Sequence, residues 1–456
     1  MGASDTQSTL PTTLTGSRDG PPPAGHHELY VGIDIGRRHH RVCLIPRARM
    51  EDGSWMKAPA WEMATTGSGY RELSERISRH QLPTEQVAIG CEPTGGLYSR
   101  TVAAWLERES YRMSWLQNWS LHQRRQLITG KQTKTDALDA RLIARLLFER
   151  DLMGATKGFR VRPPREADAL RLLVRNRLRL VGQRVRCGSQ LTALIDVLFP
   201  ELKEFFPGGV ASPAVRLLLE NYPTPTHVAA ADQQQLYALL VIQGRARRHA
   251  ARIEELQMLA ADSAGLTSNL QPLLTAQSWL LYQMRWLDRQ IPEVEEHIEG
   301  ALEAWPREDR LIMSSFPGMS KQRQAVLLAS VGDFADFRSD RQLRKLLGWY
   351  PELRESGSSL AYHRLGRGGN RLARREIWLW CLQLLLPGAP TPFRLYYERL
   401  RQRGLSGKVA MGHVAGKLIS VLFYCVRHQQ PYDANLHARA LGLDSVIEEV
   451  VVDPIP

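Results

Sequence analysis

Strand-like and helix-like segments alternate over residues 29–148, and the strand-like segments then stop. Residues 29–35 form a short apolar run that contains one acid, and residues 41–45 follow after a polar turn, as in two strands of a hairpin. The remaining pattern predicts strands at 61–64, 87–91 and 113–116 and helices at 69–79, 97–106 and 135–148. This order predicts an α/β domain with a mixed sheet that carries helices on its faces.

The middle of the chain has the leucine spacing of long helices. Between residues 162 and 305 leucines recur every three or four positions, which predicts an all-α, coiled-coil-like domain. Later helices are predicted at 245–261 and 273–304, the second bent or broken at Pro292. The first helix carries a row of arginines, which fits either a solvated surface or a face turned towards phosphates. These are Arg171, Arg175, Arg177, Arg179, Arg184 and Arg186.

A third, mostly helical region follows Pro306. Residues 315–320 read Ser-Phe-Pro-Gly-Met-Ser and lie between two apolar helical stretches. This predicts a helix-hairpin-helix whose turn offers backbone N–H groups to a DNA phosphate. An ordinary helical turn is the alternative, because Ser320 stands where that pattern usually has a second glycine.

A chain of 456 residues is longer than one hydrophobic core usually serves, so several domains are expected. The N-terminal segment is rich in Ser, Thr, Gly and Pro and has too few apolar residues to fold. The sequence predicts a disordered tail at 1–27, the α/β domain at 28–158, the helical domain at 159–305, the third domain at 306–433 and a C-terminal tail at 434–456.

Charge, cysteine content and hydropathy indicate the kind of partner and the cellular environment. The net charge of +13 makes nucleic acid the leading partner, although many soluble proteins are basic. The five cysteines are odd in number and widely spaced, which argues against a disulfide framework or zinc site and fits a reducing cytoplasm. The apolar windows 378–386 and 409–426 are too short or interrupted by charge, so no membrane span is expected.

Four carboxylates follow the predicted α/β elements. Asp34 lies inside an apolar strand, where an acid is costly unless it is compensated. Glu92 follows the strand 87–91, and Asp136 and Asp139 are three residues apart on one helix face. If the first and fourth strands are neighbours, the four can converge on Mg²⁺ or Mn²⁺, which favour oxygen ligands. Alternatively, Asp136 and Asp139 face solvent and interact with the helix dipole.

Three motifs in this half carry a family resemblance: Gly-Ile-Asp-Ile-Gly at 32–36, Cys-Glu-Pro-Thr-Gly at 91–95 and Lys-Thr-Asp-Ala-Leu-Asp-Ala at 134–140. They resemble the DEDD-type insertion-sequence transposases, relatives of the pilin-gene invertases, whose N-terminal domain is RuvC-like with an RNase H fold. The resemblance implies that the catalytic metal-binding residues are Asp34, Glu92, Asp136 and Asp139. Lys134, which begins the third motif, and the nearby Lys131 are expected to bind nucleic acid.

The third region matches the second half of the same family pattern. A Gly-x-x-Pro turn at 348–351 precedes Ser-Gly, and Gly-Asn-Arg stands at 369–371. By resemblance Ser356 is the nucleophile, although Ser358 and Ser359 are close enough for a shifted register.

Two glycines and several arginines surround this serine in the sequence. Gly366 and Gly368 depart from the family pattern, which often has Ser and Arg there. The arginines are expected to contact the scissile phosphate, unless they form a solvated helix face. They are Arg364, Arg367, Arg371, Arg374 and Arg375.

The resemblance implies a site-specific DNA recombinase, the transposase of an insertion sequence, acting through a serine-phosphodiester intermediate at a Mg²⁺-assisted composite site. It also implies a guide (bridge) RNA that pairs with donor and target DNA, and dimers that assemble into tetramers, so that the serine domain of one chain completes the acidic site of another. The expected location is the bacterial cytoplasm, at the nucleoid. Two other functions are open at this point: a junction-cutting RuvC-like nuclease that uses metal-activated water, and a non-catalytic nucleic-acid-binding scaffold.

Overall fold

The computed structural model describes residues 27–92, 98–116, 118–129, 135–153, 159–160, 165–356, 359–366, 368–386 and 391–442. The chain divides into two compact units, residues 1–162 and 163–456. The predicted 1–27 tail lies outside the described residues except for His27, which is buried and contacts Asp151 at 2.6 Å.

A six-stranded mixed sheet forms the centre of the first unit. Its strands are β1 (Leu29–Asp34), β2 (His39–Pro46), β3 (Ala60–Ala64), β4 (Val87–Cys91), β5 (Met113–Leu116) and β6 (Phe159–Arg160). Their order across the sheet is β3-β2-β1-β4-β5-β6; β1 and β5 run parallel to β4, and the other neighbours are antiparallel. All five predicted strands and the mixed character of the sheet are confirmed.

Helices cover both faces of this sheet. They are α1 (Arg47–Glu51), α2 (Gly67–Ser78), α3 (Tyr98–Arg108), α4 (Asn118–Thr129) and α5 (Asp136–Met153), with 3₁₀ turns at Ser54–Lys57 and Thr84–Gln86. Side chains of β1 alternate between the faces: Val31 and Ile33 pack with α2 and α3, whereas Tyr30 packs with α5. The even-numbered residues of β1 therefore point towards α5.

The second unit is mostly helical. Its first half contains α6 (Arg165–Leu198), α7 (Leu202–Phe205), α8 (Pro213–Asn221), α9 (Pro225–Ala229), α10 (Gln233–Tyr237), α11 (Ile253–Ala261) and α12 (Gln271–Glu303). Its second half contains α13 (Arg307–Ser314), α14 (Lys321–Val331), α15 (Asp340–Leu347), β7 (Pro351–Ser356), β8 (Ser359–Leu365), α16 (Arg371–Leu384), α17 (Pro392–Gln402), α18 (Gly407–Arg427) and α19 (Ala434–Ala440). Shorter turns are 3₁₀ at Gly209–Ala211, Arg247–Arg252 and Phe334–Asp336 and π-helical at Ala238–Gln243.

The two longest helices, α6 and α12, pack antiparallel. Arg177 pairs with Glu295 and Arg184 with Asp288, each at 2.5 Å, so rising numbers on one helix meet falling numbers on the other. The predicted helical middle region is confirmed. α12 continues through Pro292, so of the bend or break predicted there, the break does not occur. Since α6 buries one side of α12 along most of its length, that packing offsets the one backbone hydrogen bond a proline removes.

α13 and α14 are the helices predicted on either side of residues 315–320. The turn between them packs against its own unit: the Pro317 carbonyl accepts a hydrogen bond from the Trp380 indole at 2.8 Å. The Arg323 guanidinium also donates to the Gly318 carbonyl. These carbonyls are therefore fixed by protein groups, and phosphate binding by the turn stays a prediction.

The last helices close the core of the second unit. α18 is long and apolar enough to cross a membrane by length and hydropathy, but 56% of that window is buried within the protein. Ala410, Val414 and Leu418 are fully buried at the four-residue spacing of a core helix. α19 follows, with Ala438 buried, so packed structure continues beyond residue 433, where a tail is predicted.

Candidate active site

The parallel pairing of β1 with β4 brings two of the predicted acids to one edge of the sheet. Ile33 is in register with Cys91, so Asp34 and Glu92 follow at the carboxyl ends of neighbouring strands. Alternation along β1 places Asp34 on the face that α5 covers. Both carboxylates are half-buried.

A glycine allows the start of α5 to approach this edge. A β-carbon at Gly32 would overlap the Ala140 carbonyl oxygen and lie 2.8 Å from the Ala144 nitrogen. Because both obstacles are backbone atoms, only glycine permits this packing. Gly32 shares a face of β1 with Asp34, and Ala140 directly follows Asp139. The close approach therefore brings the first turns of α5 to the end of β1.

Asp139 is buried and paired with an arginine. Its carboxylate accepts two hydrogen bonds from the Arg125 guanidinium, at 2.9 and 2.6 Å. The side chains are 1% and 12% exposed, so this bidentate pair is shielded from solvent. Arg125 belongs to α4, and the pair fastens α4 to α5. Asp136, one turn earlier, is exposed.

The four acids offer the oxygen ligands that Mg²⁺ favours, but the described side chains do not form a closed ligand set. Within the described part of the chain, no three histidine, cysteine, aspartate or glutamate groups lie close enough to hold one ion. The negative charge of the Asp139 carboxylate is balanced by the Arg125 guanidinium. The fold thus brings Asp34, Glu92 and the start of α5 to one region without gathering four carboxylates around a point.

Ser356 lies at the far end of an antiparallel hairpin. β7 and β8 pair from Pro351 and Leu365 at the base to Ser356 and Ser359 at the tip, with one irregularity near the tip. Five residues of strand span about 17 Å, so the backbone of the serine lies about that far from the base. The side chains of residues 352–356 are outside the described set.

The base of the hairpin is closed by contacts to Tyr350. The Gly366 N–H donates to the Tyr350 carbonyl at 2.9 Å. A β-carbon at Gly366 would overlap the Tyr350 ring, and one at Gly368 would lie 3.0 Å from its hydroxyl oxygen. The two glycines that depart from the family pattern therefore make room for Tyr350. Arg374 completes the closure, because its guanidinium donates to both glycine carbonyls, at 2.6 Å for Gly366.

The other predicted nucleic-acid contacts stand at this base or outside the described residues. Arg371 and Arg375 are exposed on the first turns of α16. The register sets Arg364 opposite Glu352, near the base and away from Ser356. The Arg364 side chain is outside the description, as are Arg367, Lys131 and Lys134.

Sequence reasoning missed Arg125 and Tyr350. Arg125 is one of two adjacent arginines in a segment for which no helix is predicted, and no spacing rule links it to Asp139. Tyr350 has a visible signal: it stands in the Gly-x-x-Pro motif, and the unusual glycines follow the same strand pair. A search for large side chains opposite the two glycines would find it.

Two family comparisons match separate parts of this chain. A transposase family of the DEDD IS110 type matches residues 31–200, and the transposase IS116/IS110/IS902 family matches residues 310–398. The first match includes the mixed sheet, which is compatible with the RNase H-like domain of such transposases, and the second includes the Ser356 hairpin.

Whole-chain relatives agree with these matches. The chain is 25% identical to the 43.6 kDa protein of insertion element IS110 from Streptomyces coelicolor, over 90% of this chain and 96% of the relative. It is 20% identical to the pilin gene-inverting protein of Moraxella bovis, over 90% of this chain and 99% of the relative. A shorter match, 29% identical over 31% of this chain and 36% of the relative, is to the transposase of insertion sequence element IS1111A from Coxiella burnetii.

Proposed function

Because the chain belongs to the IS116/IS110/IS902 family of transposases, which are DNA strand-exchange enzymes, we propose that it recombines DNA at specific sites with Ser356 as nucleophile. The observation that carries this proposal is that one chain contains both features. The first matched region has an acidic sheet edge, and the second has a serine at a hairpin tip. We expect a serine at a hairpin tip, about 17 Å from the base, to enter a site formed by other groups.

The proposed chemistry conserves phosphodiester bonds. The Ser356 oxygen forms a bond to phosphorus while a sugar oxygen leaves and takes up a proton, which gives a covalent phosphoserine and a free sugar hydroxyl. A sugar hydroxyl of the second DNA then attacks the same phosphorus and releases the serine. A serine hydroxyl is a weak nucleophile, so it needs an activating group and a compensated phosphate charge.

We propose that the compensating positive charge comes from Mg²⁺ or Mn²⁺, with Asp34, Glu92, Asp136 and Asp139 as the ligands of the ion. Such an ion would neutralise the charge of the scissile phosphate. The donors suit these ions, and any ion at Asp139 has to compete with Arg125 for the carboxylate. Metal affinity is therefore expected to rise when Arg125 is replaced by Gln.

The proposal includes partners. Target sequence is read by a guide RNA that pairs with donor and target DNA, while the protein holds backbone and shape. Dimers assemble into tetramers in which the hairpin of one chain reaches the acidic edge of another. The net charge of +13 supports a nucleic-acid partner, and the five buried free cysteines suit the cytoplasm, where the DNA lies.

Strand exchange between plasmids tests the nucleophile. The protein is expressed with its native flanking DNA, and new DNA junctions are counted by sequencing. We expect Ser356→Ala to lower junction formation at least about 1,000-fold and to abolish a covalent protein–DNA adduct that survives denaturation. Ser359→Ala, at the paired position of β8, is the matched control and should retain both. If Ser356→Ala still cuts DNA and leaves no adduct in either protein, a water-using nuclease is the better description.

Two further measurements test the ion and the RNA. Mg²⁺ should raise the melting temperature of the wild type most, that of Asp136→Asn less, and that of Asp34→Asn least. The reason is that Asp34 stands at the end of β1, beside the end of β4. Sequencing RNA that survives a high-salt wash should give one discrete transcript from the flanking DNA. Random cellular RNA would instead support recognition of DNA by the protein itself.

A further inference from the structure

A basic loop in the second unit lies outside both regions that match the transposase family. Residues 244–252 read Gly-Arg-Ala-Arg-Arg-His-Ala-Ala-Arg. The helix predicted from residue 245 does not begin there: the chain makes a π-helical turn over Ala238–Gln243, Arg245 has a positive φ of 55°, and Arg247–Arg252 is a 3₁₀ turn. Irregular backbone of this kind costs free energy and is enriched at functional sites.

One side of this loop packs tightly against the rest of the second unit. A β-carbon at Gly244 would lie 2.8 Å from the Ala214 side chain of α8, so the loop packs tightly on that helix. The buried His249 ring packs against Phe205 and Phe206, with centroid distances of 5.0 and 4.7 Å. Groups on its outer side are therefore presented by a rigid support, as binding sites require.

Two open clefts flank the loop and share its two outer arginines. The first has a volume of about 720 Å³ and is lined by Tyr237 and Ile242 as well as by Arg245 and Arg247. The second, of about 650 Å³, lies on the side of Ser212 and again includes both arginines. None of the described residues that line either cleft is acidic.

Three side chains that line the first cleft are available to a ligand. Arg245 and Arg247 are exposed and have no hydrogen-bond or ion-pair partner among the described residues. Tyr237 is 43% exposed beside them. By contrast, the nearby Arg252 is already paired with Glu255. Two unpaired guanidinium groups beside an exposed aromatic ring match the chemistry of a strand whose phosphates meet arginine and whose bases stack on rings.

We propose that this loop binds single-stranded nucleic acid, with Arg245 and Arg247 on its phosphates and Tyr237 against a base. The inference rests on the proposed function only in that it needs a nucleic-acid partner. A guide RNA and a displaced DNA strand share this chemistry, and the measurement below separates them.

Fluorescence anisotropy of the full chain, freed of copurified nucleic acid, tests this site. The probes are labelled 20-nucleotide oligo-U RNA and oligo-dT DNA at a fixed moderate salt concentration. We expect Arg245→Gln with Arg247→Gln to weaken binding of at least one probe about tenfold or more, and to lower the slope of log affinity against log salt by about 1.4, because two phosphate contacts are lost. Tyr237→Ala should weaken binding about tenfold, whereas Tyr237→Phe should not, since stacking survives.

The matched control is Arg49→Gln with Arg79→Gln, which removes the same charge from exposed positions of the first unit. Circular dichroism melting checks that every variant folds. Loss confined to RNA identifies RNA as the ligand, and loss confined to DNA identifies the displaced strand; either supports the site. Equal binding by the two double variants overturns it. In that case the proposed function is still judged separately, because Ser356→Ala and its Ser359→Ala control do not depend on this loop.

Discussion

The acidic edge and the serine hairpin have supports of different kinds. The acids stand where β1, β4 and α5 meet, and Gly32 allows backbone there to lie against backbone. Ser356 stands at the tip of two strands whose base is closed by two side chains: the Tyr350 ring fits against Gly366 and Gly368, and the Arg374 guanidinium donates to both glycine carbonyls. Backbone contacts cannot adjust without moving whole elements, whereas a side chain can rotate away. The comparison indicates a fixed acidic edge and a hairpin whose base can adapt.

The largest expected effect tests the rigid side of this comparison. Gly32→Ala should cost about 4 kcal/mol or more of unfolding free energy, because the new β-carbon meets the backbone of Ala140 and Ala144. Urea titration followed by circular dichroism measures it. Gly53→Ala, where a β-carbon would meet nothing within 4 Å but φ is positive, is a control for strain alone and should cost clearly less. Equal costs would show that α5 can shift.

Arg125→Gln tests how strongly the acidic edge depends on its internal partner. The change leaves the buried Asp139 carboxylate without its bidentate partner, and we expect a loss of about 3 kcal/mol in unfolding free energy. Arg76→Gln, which removes an exposed partner of Glu72, is the control and should cost under about 1 kcal/mol. If Mg²⁺ stabilises Arg125→Gln more than it stabilises the wild type, the ion and the arginine compete for the Asp139 carboxylate. A loss no larger than the control would mean that Asp139 is solvated.

Acid should weaken the first unit through a buried histidine on β2. Burial lowers the pKa of His40 to about 4, and its Nδ1 accepts the Gly36 N–H at 3.3 Å. The unfolded chain, with the ordinary histidine pKa near 6.5, binds the proton first, so stability is complete above about pH 6.5 and falls as pH drops towards 4. We expect a loss of about 3 kcal/mol across this window. His40→Gln should reduce the change of the urea unfolding midpoint with pH between pH 6.5 and 4. If the midpoint changes with pH as much as in the wild type, other groups cause the effect.

The smallest effect concerns the adaptable base of the hairpin. Gly366→Ala should cost about 1 to 2 kcal/mol, since its β-carbon meets the Tyr350 ring. In a Tyr350→Ala background the same change should cost less than half as much, which a double-mutant cycle in urea measures. Equal costs in both backgrounds would mean that the backbone, and not the ring, limits this position, and the contrast with Gly32 would disappear.

Local patterns predict the elements well where burial repeats regularly. The first five strands of the sheet, α5 and the long helices α6 and α12 follow from apolar spacing, because one buried side imposes a period; the two-residue strand β6 is not predicted. α4 carries Leu121 and Ile128 seven residues apart and an exposed Leu127, which is too sparse a stripe to predict. The β7–β8 hairpin is missed because residues 351–356 read Pro-Glu-Leu-Arg-Glu-Ser, a mostly polar segment without the alternating apolar pattern of a strand.

The candidates for the site follow from sequence motifs: the order of acids, the serine motif and the two unusual glycines. Their surroundings depend on how distant elements pack together. The tertiary structure set Asp34 beside Glu92 through a parallel pairing of distant strands, gave Asp139 to Arg125, put Ser356 at a hairpin tip and placed Tyr350 against Gly366 and Gly368. The physical reason is that spacing along a chain fixes which face a residue takes, whereas its contacts depend on which other elements pack there.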